Sequence, residues 1–248
     1  MSTPTTDRSH PTIWILVASM ATAGLTLHVF SLTDLGAFDT PVTTPWVMLA
    51  AGFATAEVLV IQIRGRKDSH AISLTEVPLL IGRVLASPLA LITGRLAGSA
   101  AVCGLHRRQR SFKLAFNVAL AYLETVAAII VYHIALGTQS PHSARGYAAA
   151  IAAGTVAHIV GAALVSLAIS LHEPGRSRAA ITRTLAISTL ISGSAALLGI
   201  VGLLAVWHDS RLSPAVVIGG LLLHGVTTTR FGRIVSLPNS RAPAGVAT

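Results

Sequence analysis

Long apolar runs, separated by short polar or charged segments, repeat along almost the whole chain. A helix that crosses the hydrocarbon core of a bilayer needs about 20 mostly apolar residues. Six runs come close to that length, and the pattern predicts a membrane-spanning helix in each of them: Thr12–Phe30, Thr44–Ile63, Lys113–Leu136, Arg145–Leu171, Thr182–Trp207 and Pro214–Arg230.

A further apolar stretch, Leu74–Leu105, is 32 residues long and contains the dipeptide Ser87-Pro88. As one continuous helix it would measure about 48 Å, well beyond a bilayer core of about 30 Å. The residue before a proline is biased away from the helical conformation, so we expect a break here. The first arm has only 14 residues, which is short for a crossing. The sequence therefore predicts a proline-broken, re-entrant hairpin and about eight hydrophobic helices in all.

The composition places the chain in the membrane class. Hydrophobic residues make up 52% of the 248 residues, charged residues 11%, and the mean hydropathy is +0.70. A soluble domain carries about 25% charged residues, and a disordered chain has far less apolar material. The single cysteine, Cys103, excludes an intrachain disulfide and a multi-cysteine metal site. The predicted fold is an all-α polytopic membrane helix bundle.

The formal charge of +9 comes from 18 Lys and Arg residues, most of which lie in short clusters between the apolar runs. Such clusters are typical of cytoplasmic loops, not of a nucleic-acid-binding surface. The clusters on both sides of Leu74–Leu105 should share one compartment, which again requires the chain to turn back near Pro88. With that turn, 14 of the 18 lie in the cytoplasm: Arg8, Arg64, Arg66, Lys67, Arg107, Arg108, Arg110, Lys113, Arg176, Arg178, Arg183, Arg230, Arg233 and Arg241.

The expected organisation is a cytoplasmic N-terminal tail at 1–11, one helical membrane domain at 12–233 and a disordered cytoplasmic tail at 234–248. No small-residue cleavage site follows the first apolar run, so we expect that run to remain as a span. The predicted location is the inner (plasma) membrane, crossed several times, with both termini in the cytoplasm.

Five ionisable side chains fall inside the apolar runs, where each costs about 2.5–3.5 kcal/mol and is a functional candidate by default: Glu57, Glu76, Arg83, Arg95 and Glu124. Arg95 lies 12 residues before Arg107, and Glu124 lies 11 residues after Lys113. Both are therefore about 16 Å or slightly more from the same arginine-rich loop. Because their charges are opposite and their helices consecutive, we expect Arg95 and Glu124 to pair, and Glu57 or Glu76 to reach Arg83.

Two interpretations of this cluster stay open. In the functional one, Glu57, Arg83, Arg95 and Glu124 build a polar cavity or a signal-sensitive switch. In the structural one, acids and bases neutralise one another and only fix how the helices dock. For Glu76 the sequence favours a capping role, because Ser73-Leu-Thr-Glu76 matches the capping-box pattern of a helix start.

Other candidate chemistry is sparse. Gly94 and Gly98 form a small-xxx-small element that lets helices approach closely. No phosphate-binding, catalytic-triad or zinc-protease motif occurs, so we predict no enzyme activity, no catalytic residue and no cofactor. Four histidines map to the outer ends of the predicted helices without the i, i+4 spacing of a helical metal site, and no metal is expected there: His28, His133, His142 and His208.

One part of the chain resembles the N-terminal integral-membrane sensor region of actinobacterial signalling proteins. The resemblance rests on five segments: Ser73-Leu-Thr-Glu-Val-Pro78, Ser87-Pro-Leu89, Arg95-Leu-Ala-Gly98, Lys113-Leu-Ala-Phe-Asn117 and Leu123-Glu124. Proteins of that group usually continue into GGDEF or EAL domains, which make or degrade cyclic di-GMP. The resemblance implies an input module whose pattern positions are Glu76, Pro78, Pro88, Arg95, Asn117 and Glu124.

The sequence departs from that group in two ways. Arg83 stands where an apolar residue is expected, and no catalytic domain follows the last apolar run. Three explanations are compatible with this ending: an orphan sensor that works through a separate partner, a degenerate copy, or a shortened reading frame.

These observations predict a non-enzymatic sensory module that acts through a separate or missing cytoplasmic output domain. The expected partners are the lipid bilayer, a cytoplasmic signalling protein and a second copy in a homodimer, with no nucleic acid. The alternative is a small-molecule carrier or the substrate-binding component of a transporter, because re-entrant hairpins and midplane charges are typical of transporters. A structural role in an assembly is the third interpretation.

Overall fold

The computed structural model describes residues 10–40, 42–58, 61–64, 69–72, 75–109, 111–172 and 178–208. The predicted span Pro214–Arg230, the C-terminal tail and most of the N-terminal tail lie outside these residues. The described part is helical apart from one short hairpin, so the helical class is confirmed, whereas the count of about eight helices is not.

The described elements follow the predicted apolar runs closely. Their order is α1 His10–Ser31, α2 Trp46–Val58, β1 Ile61–Arg64, β2 Ser69–Ile72, α3 Glu76–Leu85, α4 Pro88–Ala101, a π-helical segment Val102–His106, α5 Ser111–Leu136, α6 Ala144–His172 and α7 Arg178–His208. Within the described residues, four helices are long and apolar enough to cross a membrane: Pro11–Ser31, Pro88–His106, Ser111–Leu136 and Ala144–Leu171.

The second predicted span is shorter than the sequence indicates. We predicted a helix over Thr44–Ile63, but α2 ends at Val58, and β1 pairs with β2 in an antiparallel hairpin in which Ile61 lies opposite Ile72. Two β-branched isoleucines alternate with polar residues in β1, and a strand accommodates this period of two better than a helix. The arginine-rich connection after α2 is therefore a hairpin in part.

The long apolar stretch is broken where the sequence predicts it. Helix α3 ends at Leu85, and α4 begins at Pro88. Ser87 caps α4, because its hydroxyl oxygen accepts a hydrogen bond from the backbone N–H of Ala90 at 3.2 Å. Proline is well suited to the first helical position, since it has no N–H group to leave unpaired there. Local chemistry thus specifies both the end of one helix and the start of the next.

Helices α2 and α3 run in opposite directions. The backbone N–H of Thr44, just before α2, donates to the carbonyl of Leu85 at the end of α3, at 2.7 Å. One turn further into α2, Leu49 contacts Gly82, which lies earlier in α3. Increasing residue numbers in one helix therefore match decreasing numbers in the other.

Helices α2 and α4, in contrast, run in the same direction. Gly94 lies against the backbone of Trp46, and Gly98 lies against the backbone of Ala50 one turn later. Because α3 is antiparallel to α2 and α4 is parallel to it, the chain reverses between α3 and α4. The hairpin geometry that the charge pattern requires is present in the structure.

The remaining helices agree with this reversal. The N-terminal halves of α1 and α5 share one buried cluster that includes Met20 and Ala119, so these two helices run in the same direction. A single crossing by the long stretch would have made them antiparallel. In the α5–α6 pair, the Arg145 Nε group donates to the carbonyl of Ala135 at 2.7 Å, which joins the end of α5 to the start of α6.

We use two names for the ends of the bundle. The arginine end is the end where the π-helical segment leads through Arg107 to the start of α5. The histidine end is the opposite end, where Phe38 stacks on His133 with ring centroids 4.8 Å apart and His142 stacks on Trp207 at 4.7 Å.

Candidate functional site

Arg95 and Glu124 form the ion pair that the sequence predicts. Arg95 lies on α4 and Glu124 on α5, with 3.4 Å between Arg95 Nη2 and Glu124 Oε2. Arg95 is only 5% exposed, and its guanidinium carbon lies 4.8 Å from the centre of the Phe53 ring. A cation over an aromatic face is stabilised by the ring quadrupole. Among the described residues, Arg95 Nε and Nη1 still have no hydrogen-bond partner.

Glu76 and Arg83 lie two turns apart on α3, and both side chains reach a common point beside Gly154 of α6. A methyl group on Gly154 would lie 3.5 Å from Arg83 Nη2 and 3.6 Å from Glu76 Oε2. The two charged groups therefore both border Gly154, without forming a salt bridge with each other. Ser192 of α7 is a hydrogen-bonding neighbour of the Glu76 carboxylate.

Arg83 is the least satisfied of the buried charges. It is 3% exposed, and none of its three guanidinium nitrogens has a hydrogen-bond partner within the described residues. The same holds for Glu76 Oε2. Burying a charge without a partner costs several kcal/mol, so this arrangement is energetically expensive.

The capping-box interpretation of Glu76 depends on Ser73, which lies outside the described residues, so it stays a prediction. Glu76 is the first residue of α3 as described, and Thr75 before it makes no side-chain capping bond. One oxygen of the Glu76 carboxylate, Oε2, is buried in the bundle near Arg83.

Of the two acids expected to reach Arg83, Glu76 approaches it and Glu57 does not. Glu57 pairs with Arg107, at 3.4 Å between Arg107 Nη2 and Glu57 Oε2, and the same nitrogen donates to the Glu57 backbone carbonyl. The reason is the direction in which the Glu57 side chain leaves α2, toward the residue that follows the π-helical segment. Glu57 thus belongs to the arginine end, apart from the buried cluster of Glu76, Arg83, Arg95 and Glu124.

Two glycines of α6 make room for this buried charge cluster, and the sequence reasoning missed both. Gly154 faces Glu76 and Arg83, and a methyl group on Gly161 would overlap the Glu124 carboxylate. The two lie seven residues apart, on one face of the helix. The signal that predicts them is the small-xxx-small spacing in Ala150–Gly154 and Ala157–Gly161, where both alanines are fully or almost fully buried.

Tyr132 is a second residue that the sequence reasoning missed. Its side chain is wholly buried, and its hydroxyl has no hydrogen-bond partner among the residues described. With Arg83 and Pro88 it lines a narrow gap beneath the turn between α3 and α4. The Phe38 ring packs edge-on against Tyr132, with centroids 5.5 Å apart. A tyrosine inside an apolar run has no distinctive sequence signal, because a tyrosine that only packs in a core occurs in the same pattern as a functional one.

Gly94 and Gly98 perform the packing role that their spacing predicts. A methyl group on Gly98 would lie 2.6 Å from the Ala50 carbonyl oxygen, and one on Gly94 would lie 2.8 Å from the Trp46 carbonyl oxygen. Both distances are shorter than van der Waals contact. The two glycines therefore let α2 and α4 approach closely, which brings Phe53 over the Arg95 guanidinium.

The histidines at the histidine end do not converge. His28 hydrogen-bonds to the Tyr122 hydroxyl at 3.0 Å, His133 stacks on Phe38, and His142 hydrogen-bonds to the Tyr147 hydroxyl at 2.6 Å. Within the described part of the chain, no group of three or more histidine, cysteine or acidic side chains is arranged to hold a metal ion.

The buried charge cluster combines one formed ion pair with two further charges that border Gly154. Two arginines and two glutamates balance in charge, but only the Arg95–Glu124 pair is in contact. Guanidinium groups supply five N–H donors each, and several of these donors have no partner among the described residues.

No protein-family model matches the sequence, and no curated protein and no solved structure matches it either.

Proposed function

We propose that this protein is a non-enzymatic sensory module of the inner membrane, and that the hairpin of α3 and α4 is its two-state element. The observation that supports this is the open pair of Glu76 and Arg83, which both border Gly154 without a hydrogen bond between them. An expensive feature in the middle of a packed bundle is best explained by a second arrangement in which it is satisfied.

The two proposed states differ in the position of α3. In the open state Arg83 has no hydrogen-bond partner among the described residues. In the closed state its side chain turns to bind the Glu76 carboxylate, and α3 moves against α6 where the two side chains leave Gly154. Closing gains a buried ion pair and loses packing around α3. Because these terms oppose each other, the two states differ by only a few kcal/mol, and a modest signal shifts their populations.

Movement of α3 has a direct route to the rest of the bundle. Leu80 of α3 packs on Gly199 of α7, where a methyl group would be 3.2 Å from the Leu80 Cβ atom. Helix α3 also contacts α2, α5 and α6. In our proposal, a signal at the histidine end shifts α3, and α7 passes the shift to the arginine end.

The arginine end is proposed to face the cytoplasm, with both termini on that side and about eight hydrophobic helices in total. The positive-inside rule supports this orientation. The resemblance to sensor regions of cyclic di-GMP signalling proteins supports an output through a GGDEF or EAL domain on a separate chain. A homodimer is the proposed assembly.

The test is site-specific photo-cross-linking in the native cell. A photoreactive residue at His106, which is exposed at the arginine end, should cross-link to a protein with a GGDEF or EAL domain, identified by mass spectrometry. The same residue at Asp39, at the histidine end, is the matched control and should give no such product. If the His106 position captures no GGDEF or EAL protein, the proposed output is wrong.

A second candidate function, a small-molecule carrier, is favoured by the broken α3–α4 hairpin beside a buried charge cluster. Uptake of solutes by reconstituted vesicles separates the two proposals. A carrier loses uptake when Glu124→Gln breaks the charge pair with Arg95, whereas a sensor shows no uptake in either form.

A further inference from the structure

The connection between α4 and α5 has an unusual backbone. The last turn of α4 widens into the π-helical segment Val102–His106, and the next residues turn the chain toward α5. Arg108 in this turn has a φ angle of +46° and is the one non-glycine residue with positive φ in the described part of the chain. A residue with a side chain is strained in this left-handed region, and such strain persists where the surrounding structure holds it in place.

The residues on both sides of Arg108 are fixed by side-chain contacts. Arg107 binds the Glu57 side chain and its backbone carbonyl. The Gln109 side-chain oxygen accepts a hydrogen bond from the Asn117 amide at 2.8 Å. These contacts hold the turn rigid and direct Arg108 away from the bundle.

Within the described residues, no carboxylate neutralises this turn. Glu57 is already engaged by Arg107, and neither Arg108 nor Lys113 forms a salt bridge there. Lys113 Nζ lies 6.0 Å from the centre of the Phe112 ring, and both cations are exposed. The described part of the turn therefore presents two exposed positive charges at the end of an apolar bundle.

An exposed apolar side chain precedes these cations in the chain. Leu105 is 79% exposed, although it lies only two residues before Arg107. An exposed leucine close in sequence to exposed cations is suited to the boundary between acyl chains and headgroups, where one ligand offers both an apolar and an anionic part.

We propose that Leu105, Arg108 and Lys113 form a binding site for one anionic phospholipid. Arg108 and Lys113 would bind the phosphodiester oxygens and the negative headgroup, and Leu105 would contact an acyl chain. Arginine is the residue that recognises a phosphate with two parallel hydrogen bonds. This site does not depend on the proposed sensory function, because it rests on the arginine end alone.

The test compares the full-length protein in nanodiscs of phosphatidylcholine with nanodiscs of an equimolar mixture of phosphatidylcholine and phosphatidylglycerol. The wild type should unfold at a higher temperature in the anionic mixture and retain phosphatidylglycerol in native mass spectrometry. Arg108→Gly should bind this lipid about fivefold more weakly, the effect of losing one cation near an anionic headgroup. In pure phosphatidylcholine, the same substitution should unfold at an equal or higher temperature, because glycine relieves the positive φ angle.

Two further variants keep the test decisive. Arg108→Gln removes the charge and retains the backbone strain, so it should lose the lipid as Arg108→Gly does. Arg145→Gln, a cation change at the histidine end, should unfold more easily in both lipids but keep the full difference between them. Equal retention of phosphatidylglycerol by wild type and both Arg108 variants would overturn the proposal.

Discussion

At the scale of single residues, sequence reasoning located the buried charges but not all of their partners. Arg95 and Glu124 were predictable because their depth follows from the rise per residue and their signs are opposite. Depth says nothing about the direction in which a side chain points around its helix axis. For that reason the sequence leaves both Glu57 and Glu76 as partners of Arg83, and only the structure turns Glu57 toward Arg107.

The open pair leads to a prediction about stability. Replacing one member of a buried pair leaves the other uncompensated and costs about 3–5 kcal/mol, whereas replacing both with neutral residues of similar volume is neutral or stabilising by about 1–4 kcal/mol. We therefore expect Arg83→Met alone to destabilise the protein, and Glu76→Gln with Arg83→Met to be at least as stable as the wild type.

Thermal unfolding in detergent measures both variants, and Asp39→Asn is the control for an exposed acid, with an expected change within about 0.5 kcal/mol. A double variant less stable than Arg83→Met alone would mean that the two side chains stabilise the bundle independently. If the double variant is stable, the pair is retained for a reason other than stability.

At the scale of elements, helix boundaries were predictable wherever the sequence carries a local signal. Ser87 and Pro88 cap and start α4, and both act within one turn of backbone. The end of α2 was missed by five residues, because Ile61 and Ile63 are apolar in either a helix or a strand. The hydrogen-bonded pairing of β1 with β2 decided for the strand. Such pairing is a contact between two segments, and the hydropathy of one segment does not encode it.

The contact between α2 and α4 gives an element-scale prediction with a matched glycine control. Gly98→Ala should destabilise the bundle by about 1–3 kcal/mol, because the added methyl group meets rigid backbone and forces the helices apart. Gly193→Ala lies in α7, where nothing is within 4 Å of the added methyl group. That substitution should stabilise the protein by about 0.5–1 kcal/mol through helix propensity.

Urea unfolding or thermal unfolding of the two variants in the same detergent provides the comparison. Equal effects of Gly98→Ala and Gly193→Ala would show that the close approach of α2 and α4 does not contribute to stability. In Gly98→Ala, Phe53 should also move away from Arg95. This movement would contribute to a loss of stability that Gly98→Ala shows and Gly193→Ala does not.

At the scale of the whole molecule, the direction of a helix follows from the positions of the basic clusters and the number of crossings between them. Basic clusters on both sides of the long apolar stretch required an even number of crossings there, and the parallel arrangement of α1 and α5 is the three-dimensional result. The last predicted span lies outside the described residues, so the total number of crossings stays a prediction.

Cysteine labelling in intact cells tests this arrangement. The chain has one cysteine, Cys103, which is buried, so Cys103→Ala provides a background for single-cysteine variants. We expect Ser69→Cys and His106→Cys to react from the same side of the membrane. Asp39→Cys should react from the opposite side and is the control for reagent access.

Reaction of Ser69→Cys and His106→Cys from opposite sides would contradict the hairpin. The stretch between them would then cross the membrane once, and the match in depth between Arg95 and Glu124 would no longer follow. Such a result would also remove the basis for a two-state hairpin.

The amino-acid sequence by itself determined the apolar helical class, the position of the break, and the reversal of the chain between α3 and α4. These depend on composition, on local backbone preferences and on charge counts, all of which are properties of short segments. Only the tertiary structure decided which charges meet, how far α2 extends, and that Gly154 and Gly161 face the buried charge cluster. Those features depend on the rotation of each helix about its axis, and this rotation is set by the packing of all its neighbours at once.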